Sequence, residues 1–318
     1  MEKPSSDISP GLLSIVVPVY GCVDCLEALC ERVDGTMMSI ERDYELILVD
    51  DRSPDQTWAL IRDLQRRFGK LKGIRLSRNF GQHIAITAGL AQAAGDYALV
   101  MDCDLQEPPE IIPQFISKMD EGCDLVLARR VERHDSFVRL VAAKVYFRLL
   151  KFVTGMSVDG TYGTFSMLSR KVIDKFLLFD EKERHYLFIL RWLGFRIGTI
   201  DYEHQQRFAG QSSYSIRTLF RHAVDGLFFQ ATVLLRWIII LGLLYALLGL
   251  LVAVLLVFFY FIHGSLAGWT SLIVVVLLST GAVLFSLGVI GQYIGKIFEQ
   301  TKGRPLYVID IISERSSK

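Results

Sequence analysis

Two long stretches without charge constrain this chain more than anything else in it. Trp237 to Ile262 and Gly264 to Gly295 contain no Lys, Arg, Asp or Glu. Each exceeds the roughly 20 residues that an apolar helix needs to cross a bilayer. Nearly all the charged residues precede Arg236. The sequence therefore reads as a globular part over residues 1–212, a juxtamembrane amphipathic segment over 213–236, a two-helix anchor within 237–296 with spans near 237–262 and 269–295, and a tail over 297–318.

The flanks of the two runs orient them. Arg217, Arg221 and Arg236 precede the first and Lys296, Lys302 and Arg304 follow the second, whereas the connector from His263 to Gly268 has no Lys or Arg. Positive charge stays on the cytoplasmic side, so both termini are expected there. The first fourteen residues are polar without an apolar core, so no signal peptide is expected. The five cysteines of the chain should then be reduced thiols. Cys22 and Cys25 form a C-x-x-C that could be redox-active or half a zinc site, but no second pair completes it, and two ordinary small residues at a loop–helix junction is the plainer reading. A net charge of +1 gives no basic surface for nucleic acid.

The globular part alternates strand and helix patterns. "LLSIVVPVY", "YELILVDD", "KGIRLS" and "YALVMDCD" read as strands, with helices such as Pro54 to Phe68 and Gln82 to Ala93 between them. That alternation predicts an α/β fold, a mostly parallel sheet with helices on both faces. Ligands bind such sheets at the carboxyl ends of strands. Three strands end in polar signatures there: Pro18-Val19-Tyr20, Asp50-Asp51-Arg52-Ser53 and Asp102-Cys103-Asp104.

Neither a G-x-G-x-x-G after the first strand nor a Walker loop occurs, so phosphate charge needs another partner. A divalent metal on paired carboxylates is such a partner, since Mg²⁺ and Mn²⁺ bind through one or two carboxylates plus substrate phosphates. Asp102 and Asp104, two apart in an extended segment, would point the same way and straddle one ion. The competing reading is a helix N-cap, because Asp104 stands shortly before Pro108-Pro109.

Taken in order, "SIVVPVY", "ELILVDDRSPDQT", "LSRNFGQHIAITAGL", "GDYALVMDCDLQEPPEII" and "RFAGQSSYS", ahead of two apolar runs and the ending "GVIGQYIGKIFEQTKGRPLYVI", resemble the family-2 glycosyltransferases of GT-A fold that load a sugar onto a polyprenyl phosphate. These are the relatives of bactoprenol glucosyltransferase, undecaprenyl-phosphate aminoarabinose transferase and dolichyl-phosphate mannose synthase. The resemblance implies a Rossmann-like catalytic domain, a nucleotide-sugar donor, a UDP-sugar first among them, undecaprenyl phosphate as acceptor, Mg²⁺ or Mn²⁺ as cofactor, a homo-oligomer, and a place in the bacterial inner membrane. By position it implies that Pro18 and Tyr20 line base and ribose, Asp51 contacts the nucleobase, and Asp102, Cys103, Asp104 and Gln106 hold ribose and metal. It also implies that Arg129, Arg130 and Arg207 supply positive charge to phosphates, which guanidinium forks bind in pairs, with Ser213 on the acceptor side. A solvated strand end is the other reading of Arg129 and Arg130.

Three departures from the family pattern bear on the acceptor side. Gly21-Cys22 stand where many relatives have Asn-Glu, Gly163-Thr164-Phe165 where bactoprenol glucosyltransferases carry a G-D-F with a proposed base, and Ser213 where a lysine often follows G-x-S. Asp159, beside Gly160, is the substitute carboxylate to weigh, although an Asp there equally suits a turn. A phosphate monoester has a second pKa near ~6, so a lipid phosphate is already a nucleophile at neutral pH without a base.

Two segments read as interfacial helices. In "VRLVAAKVYFRLLKFV", Arg139, Lys144, Arg148 and Lys151 recur at helical spacing opposite Val138, Val141, Val145, Leu149 and Phe152, and "SIRTLFRHAVDGLFF" repeats the pattern before the first span. Packing against the domain core is the alternative for both. A second class of function also stands open: a membrane-anchored transferase extending a polysaccharide, or a nucleotide-binding subunit without turnover. The processive Q-x-x-R-W motif is reduced here to Arg191-Trp192.

Overall fold

A computed structural model describes residues 11–131, 161–182, 184–203 and 268–314, together with helical positions scattered between Ile240 and Ile262. Asp159, Arg207, Ser213 and both expected interfacial segments lie outside the described residues. The chain divides into two compact units, one comprising Met1–Leu140, Asp159–Ser213 and Pro305–Lys318, the other Val141–Val158 and Tyr214–Arg304.

The first unit is built on strand–helix repeats. Strands β1 (Leu13–Val19), β2 (Tyr44–Asp50), β3 (Leu71–Leu76) and β4 (Tyr97–Val100) alternate with helices α1 (Leu26–Ser39), α2 (Thr57–Arg67) and α3 (Gln82–Gln92). They lie side by side as β4-β1-β2-β3, all parallel, as the alternating pattern predicts. A short 3-10 turn, Pro109–Ile111, leads into α4 (Ile112–Asp120), followed by β5 (Leu125–Arg130), β6 (Tyr162–Ser169), α5 (Arg170–Leu177), α6 (Tyr186–Trp192) and β7 (Ile197–Tyr202). Strand β6 runs antiparallel between β4 and β5, and β7 pairs parallel with β5.

Period-2 alternation feeds a core on each face of this sheet. Ile15, Val17, Leu46, Leu48, Leu99 and Val126 enter one core with α1 and α4, while Val16, Ile47, Val49, Val100 and Leu127 enter the other with α3 and α5. Burial on both faces is why the strands read as unbroken apolar runs. Helix α3 sits very close to the sheet, because a Cβ on Gly89 would collide with Val16 Cγ1. Pro18 is tolerated near the end of central β1 because the ladder to β4 stops at Val16 and Val100, so its missing N–H removes no bond on that side.

The tail is part of this sheet. Ile309–Ser313 form β8, antiparallel to β3, and the Gln65 and Ser313 side chains bond at 2.7 Å. Arg52 and Asp310 form an ion pair at 2.8 Å. In the second unit, α7 spans Trp269–Thr301, and its Ser279–Thr301 portion is long and apolar enough to cross a membrane, the one such helix among the described residues. The described positions of the first apolar run are helical, and the Tyr245 and Ser279 hydroxyls lie 2.9 Å apart.

Candidate active site

The carboxyl ends of β1, β2 and β4 face one region, and each contributes a loop. After β1, Tyr20 is half exposed, and Gly21 turns the chain with φ of 66° while its N–H donates to Ser53 Oγ at 3.1 Å. After β2, Asp51 is buried, and its two oxygens accept the N–H groups of Phe80 and Gly81 at 2.7 and 2.8 Å. Burial raises the Asp51 carboxyl above its ordinary range, and those two backbone donors pull it back. Asp51 thus anchors the Asn79-Phe80-Gly81 loop at the start of α3, the work its geometry shows it doing.

After β4 the expected extended segment gives way to a turn. The strand ends at Val100, four residues short of the reading that ran it to Asp104, because its β1 partner offers no further ladder beyond Val16. The Asp102 N–H donates instead to Glu107 Oε2 at 2.7 Å, and Leu105 takes a φ of 62°. The Gln106 N–H donates to Asp104 Oδ1 at 3.2 Å. The two aspartates are therefore neighbours through a tight turn rather than through strand alternation.

Asp102 is held from two other elements. Gln82, the first residue of α3, donates from Nε2 to Asp102 Oδ1 at 2.7 Å, and Thr164 on β6 donates from Oγ1 to the same oxygen at 3.1 Å. Burial, then the neighbouring charge of Asp104, push the Asp102 carboxyl up to about 6, against the pull of these donors and of Arg130. Glu107 stands well above its ordinary range for the same first reason, with Asp102 and Asp104 adding to it. Crowded carboxylates with raised affinities for protons have the same appetite for a cation. Among the described residues no three His, Cys, Asp or Glu side chains form a complete metal cage. A two-carboxylate set is instead the partial donor set that Mg²⁺ or Mn²⁺ takes when substrate phosphates and water complete it, so Asp102 and Asp104 fit such an ion.

The two arginines of β5 part company. Arg129 is committed to Asp201 through two bonds of 2.7 and 2.8 Å. Arg130, on the opposite face by alternation, sets its charge on Asp102 and Glu107. Of the neighbouring pair, the structure brings Arg130 to the carboxylates.

Cysteine pairing corrects the expectation of five reduced thiols. Cys22 and Cys103 form a disulfide with Cα atoms 6.5 Å apart. Parallel pairing of β1 and β4 sets their carboxyl-end loops side by side, so the cysteine 81 positions away is the partner and Cys25, three away, is not. Cys25 and Cys30 are buried thiols, and burial pushes the Cys30 thiol up to about 12. Cys103 enters the site as half of a staple between two loops.

Sequence reasoning missed Gln82, Thr164 and Glu107 as site residues. Gln82 lies in the "RNFGQH" block, and Thr164 lies in the Gly163-Thr164-Phe165 stretch that stood out as a departure from the family pattern. Glu107 left no signal beyond its place in the "DLQEPPE" stretch.

Residues 14–177 match the family described as Glycosyl transferase family 2. The chain belongs to glycosyltransferase family 2. This glycosyltransferase is 35% identical over 298 residues to the uncharacterized glycosyltransferase YkcC of Bacillus subtilis, covering 93% of its own chain and 92% of that protein. It is 35% identical over 302 residues to the undecaprenyl-phosphate 4-deoxy-4-formamido-L-arabinose transferase of Proteus mirabilis, at 93% and 92% coverage. Among solved structures it is similar to a glucosyl-3-phosphoglycerate synthase from Mycobacterium tuberculosis in complex with Mn²⁺, UDP and glucosyl-3-phosphoglycerate, with a TM-score of 0.47, 16% identity and coverage of 70% and 80%. As a family-2 enzyme it takes its sugar from a nucleotide-sugar donor, and its mostly parallel α/β sheet is that of the GT-A fold.

Proposed function

We propose that this enzyme moves a sugar from a nucleoside diphosphate, UDP first among the candidates, to undecaprenyl phosphate at the cytoplasmic face of a bacterial inner membrane. The observation that carries the reading is the Asp102–Asp104 pair at the carboxyl end of β4, in a chain that also holds a helix long and apolar enough to enter a bilayer. The relative that bears undecaprenyl phosphate in its name supports the acceptor. Two spans, a cytoplasmic catalytic unit and a homo-oligomer complete the arrangement.

In this reading Asp102 and Asp104, with Gln106 beside them, hold Mg²⁺ or Mn²⁺. A divalent cation there supplies charge neutralisation to the departing nucleoside diphosphate. Pro18 and Tyr20 border the nucleoside, and Arg130 and Arg207 offset phosphate charge. An oxygen of the acceptor phosphate attacks the anomeric carbon, the bond from that carbon to the diphosphate breaks, and the electron pair leaves with the diphosphate. A single in-line displacement inverts the anomeric centre. The attacking phosphate is a dianion near neutral pH, so no proton has to be removed. Thr164 agrees with that economy: its hydroxyl donates to Asp102 and offers no carboxylate to act as base.

The test is transfer itself. Membrane-embedded protein incubated with undecaprenyl phosphate and radiolabelled nucleotide sugars should place label in the organic-extractable lipid, and only with a divalent cation present. Label in a water-soluble polymer would replace this reading by glycan extension, and no transfer from any donor would leave it without support.

A further inference from the structure

Glu107 is a buried carboxylate that the reaction above leaves unused. It is 3% exposed, and its Oε2 accepts the Asp102 N–H at 2.7 Å. That bond ties the last residue of the Asp102–Glu107 turn to its first. Within the turn Leu105 is itself buried and has a φ of 62°, a left-handed conformation that costs any residue with a Cβ and persists only where its surroundings over-determine it. Strand β6 passes beside the carboxyl at Gly163, where a Cβ would lie at an ordinary contact distance of 3.8 Å from Glu107 Oε1. Arg130 provides the opposing charge. On the β6 side, which the Asp102 N–H faces because the Met101 N–H is given to Val16 on β1, the ladder ends at Val100 and Ser166, and the Asp102 N–H goes to the Glu107 side chain instead. Removing the Glu107 oxygen therefore leaves a shielded N–H unpaired and releases the turn toward an extended chain.

We propose that Glu107 is a positioning residue: its side-chain oxygen fixes the Asp102 backbone and so holds the Asp102 and Asp104 carboxylates together to receive a metal-bound diphosphate. The role is that of a hydrogen-bond acceptor, acting through Asp102 without touching the donor. It rests on the metal-assisted reading above.

The test uses the full-length protein in detergent micelles, titrated with Mn²⁺ and UDP by calorimetry, and compares wild type with Glu107→Ala and Glu107→Gln. The glutamine keeps a carbonyl oxygen for the Asp102 N–H, and the alanine does not. Glu107→Ala should weaken Mn²⁺–UDP binding about tenfold or more, raising the donor KM with a smaller change in kcat, while Glu107→Gln stays within about threefold of wild type. Equal binding by wild type and Glu107→Ala overturns the inference, as does a glutamine variant as weak as the alanine one. A wild type that fails to bind Mn²⁺ and UDP at all overturns the metal reading itself, and the inference with it. If Glu107→Ala does not fold, Glu107→Asp, which keeps the charge but shortens its reach, carries the same expected loss.

Discussion

Asp102→Asn should make the metal-free protein more stable while abolishing its activity. In the fold the Asp102 carboxyl is pushed up to about 6 from an ordinary 3.8, chiefly by burial. A raised carboxyl means that the folded state holds its proton more tightly than the unfolded chain does. The associated stability is fully present below about 3.8 and is lost as pH rises through about 6. At neutral pH the wild type therefore carries an ionised, partly buried carboxylate beside Asp104. A displacement of about two pKa units corresponds to roughly 3 kcal/mol. Asparagine removes that cost and disturbs little else, since its carbonyl oxygen still accepts from Gln82 and Thr164 and its N–H still reaches Glu107.

Thermal melting in micelles with EDTA measures the effect. With roughly 2–4 °C per kcal/mol for a domain of this size, Asp102→Asn should melt about 6–12 °C above wild type at pH 7.5. Near pH 4 most of that difference should vanish. Added Mn²⁺ should raise the melting temperature of the wild type and leave the variant unchanged, because the ion needs the ionised carboxylate. A variant that melts below wild type at pH 7.5, or by the same offset at both pH values, refutes the reasoning. The expected gain would show that the site gives up stability for function.

Three further outcomes follow from the same geometry. Chelation with EDTA should abolish transfer, and Asp104→Asn should cut it by roughly 10²-fold or more with the melting transition intact; full activity in EDTA refutes the metal assignment. Thiol titration of denatured protein should find three reactive cysteines before reduction and five after, since Cys22 and Cys103 are paired, whereas five from the start would show the staple to be absent. Arg207→Ala should slow transfer by roughly 10²-fold, Asp159→Asn should have little effect, and the rate should rise with pH through the lipid phosphate's second ionisation near ~6 and then level off; a nearly dead Asp159→Asn with a mild Arg207→Ala would assign the reaction to a protein base.

The parallel strands were legible because burial on both faces leaves the same trace in sequence: "IVV" in β1 and "LILV" in β2 are apolar throughout, although neighbouring residues serve opposite cores. The aspartate pair was legible from composition at a strand end. What escaped depends on contacts that no local pattern carries. Strand β8 has exposed Ile311 and Ile312 and finds β3 from more than 200 residues away, so neither alternation nor length announces it. Gln82 and Thr164 meet Asp102 across separations of 20 and 62 residues. The disulfide became visible only when the β1 and β4 loops were side by side. Strand alternation could have divided Arg129 from Arg130, since neighbours on one strand face opposite sides.

The turn after β4 shows how sequence departures and geometry explain each other. Thr164 presents a hydroxyl whose hydrogen bond is given to Asp102 Oδ1. An alcohol oxygen is too weakly basic to take the place of a carboxylate, and the bond it gives lowers the cost of keeping Asp102 ionised. Gln82 adds a second donor to the same oxygen, and Arg130 adds charge from β5. These contributions act in one direction, toward an ionised Asp102 beside Asp104, and together with burial's opposing push they leave it near 6 rather than higher. A site arranged in this way invests its polar groups in keeping two neighbouring negative charges, as the proposed cation would require. In the proposed reaction the proton chemistry is left to the acceptor, whose phosphate would already have lost its second proton near neutral pH.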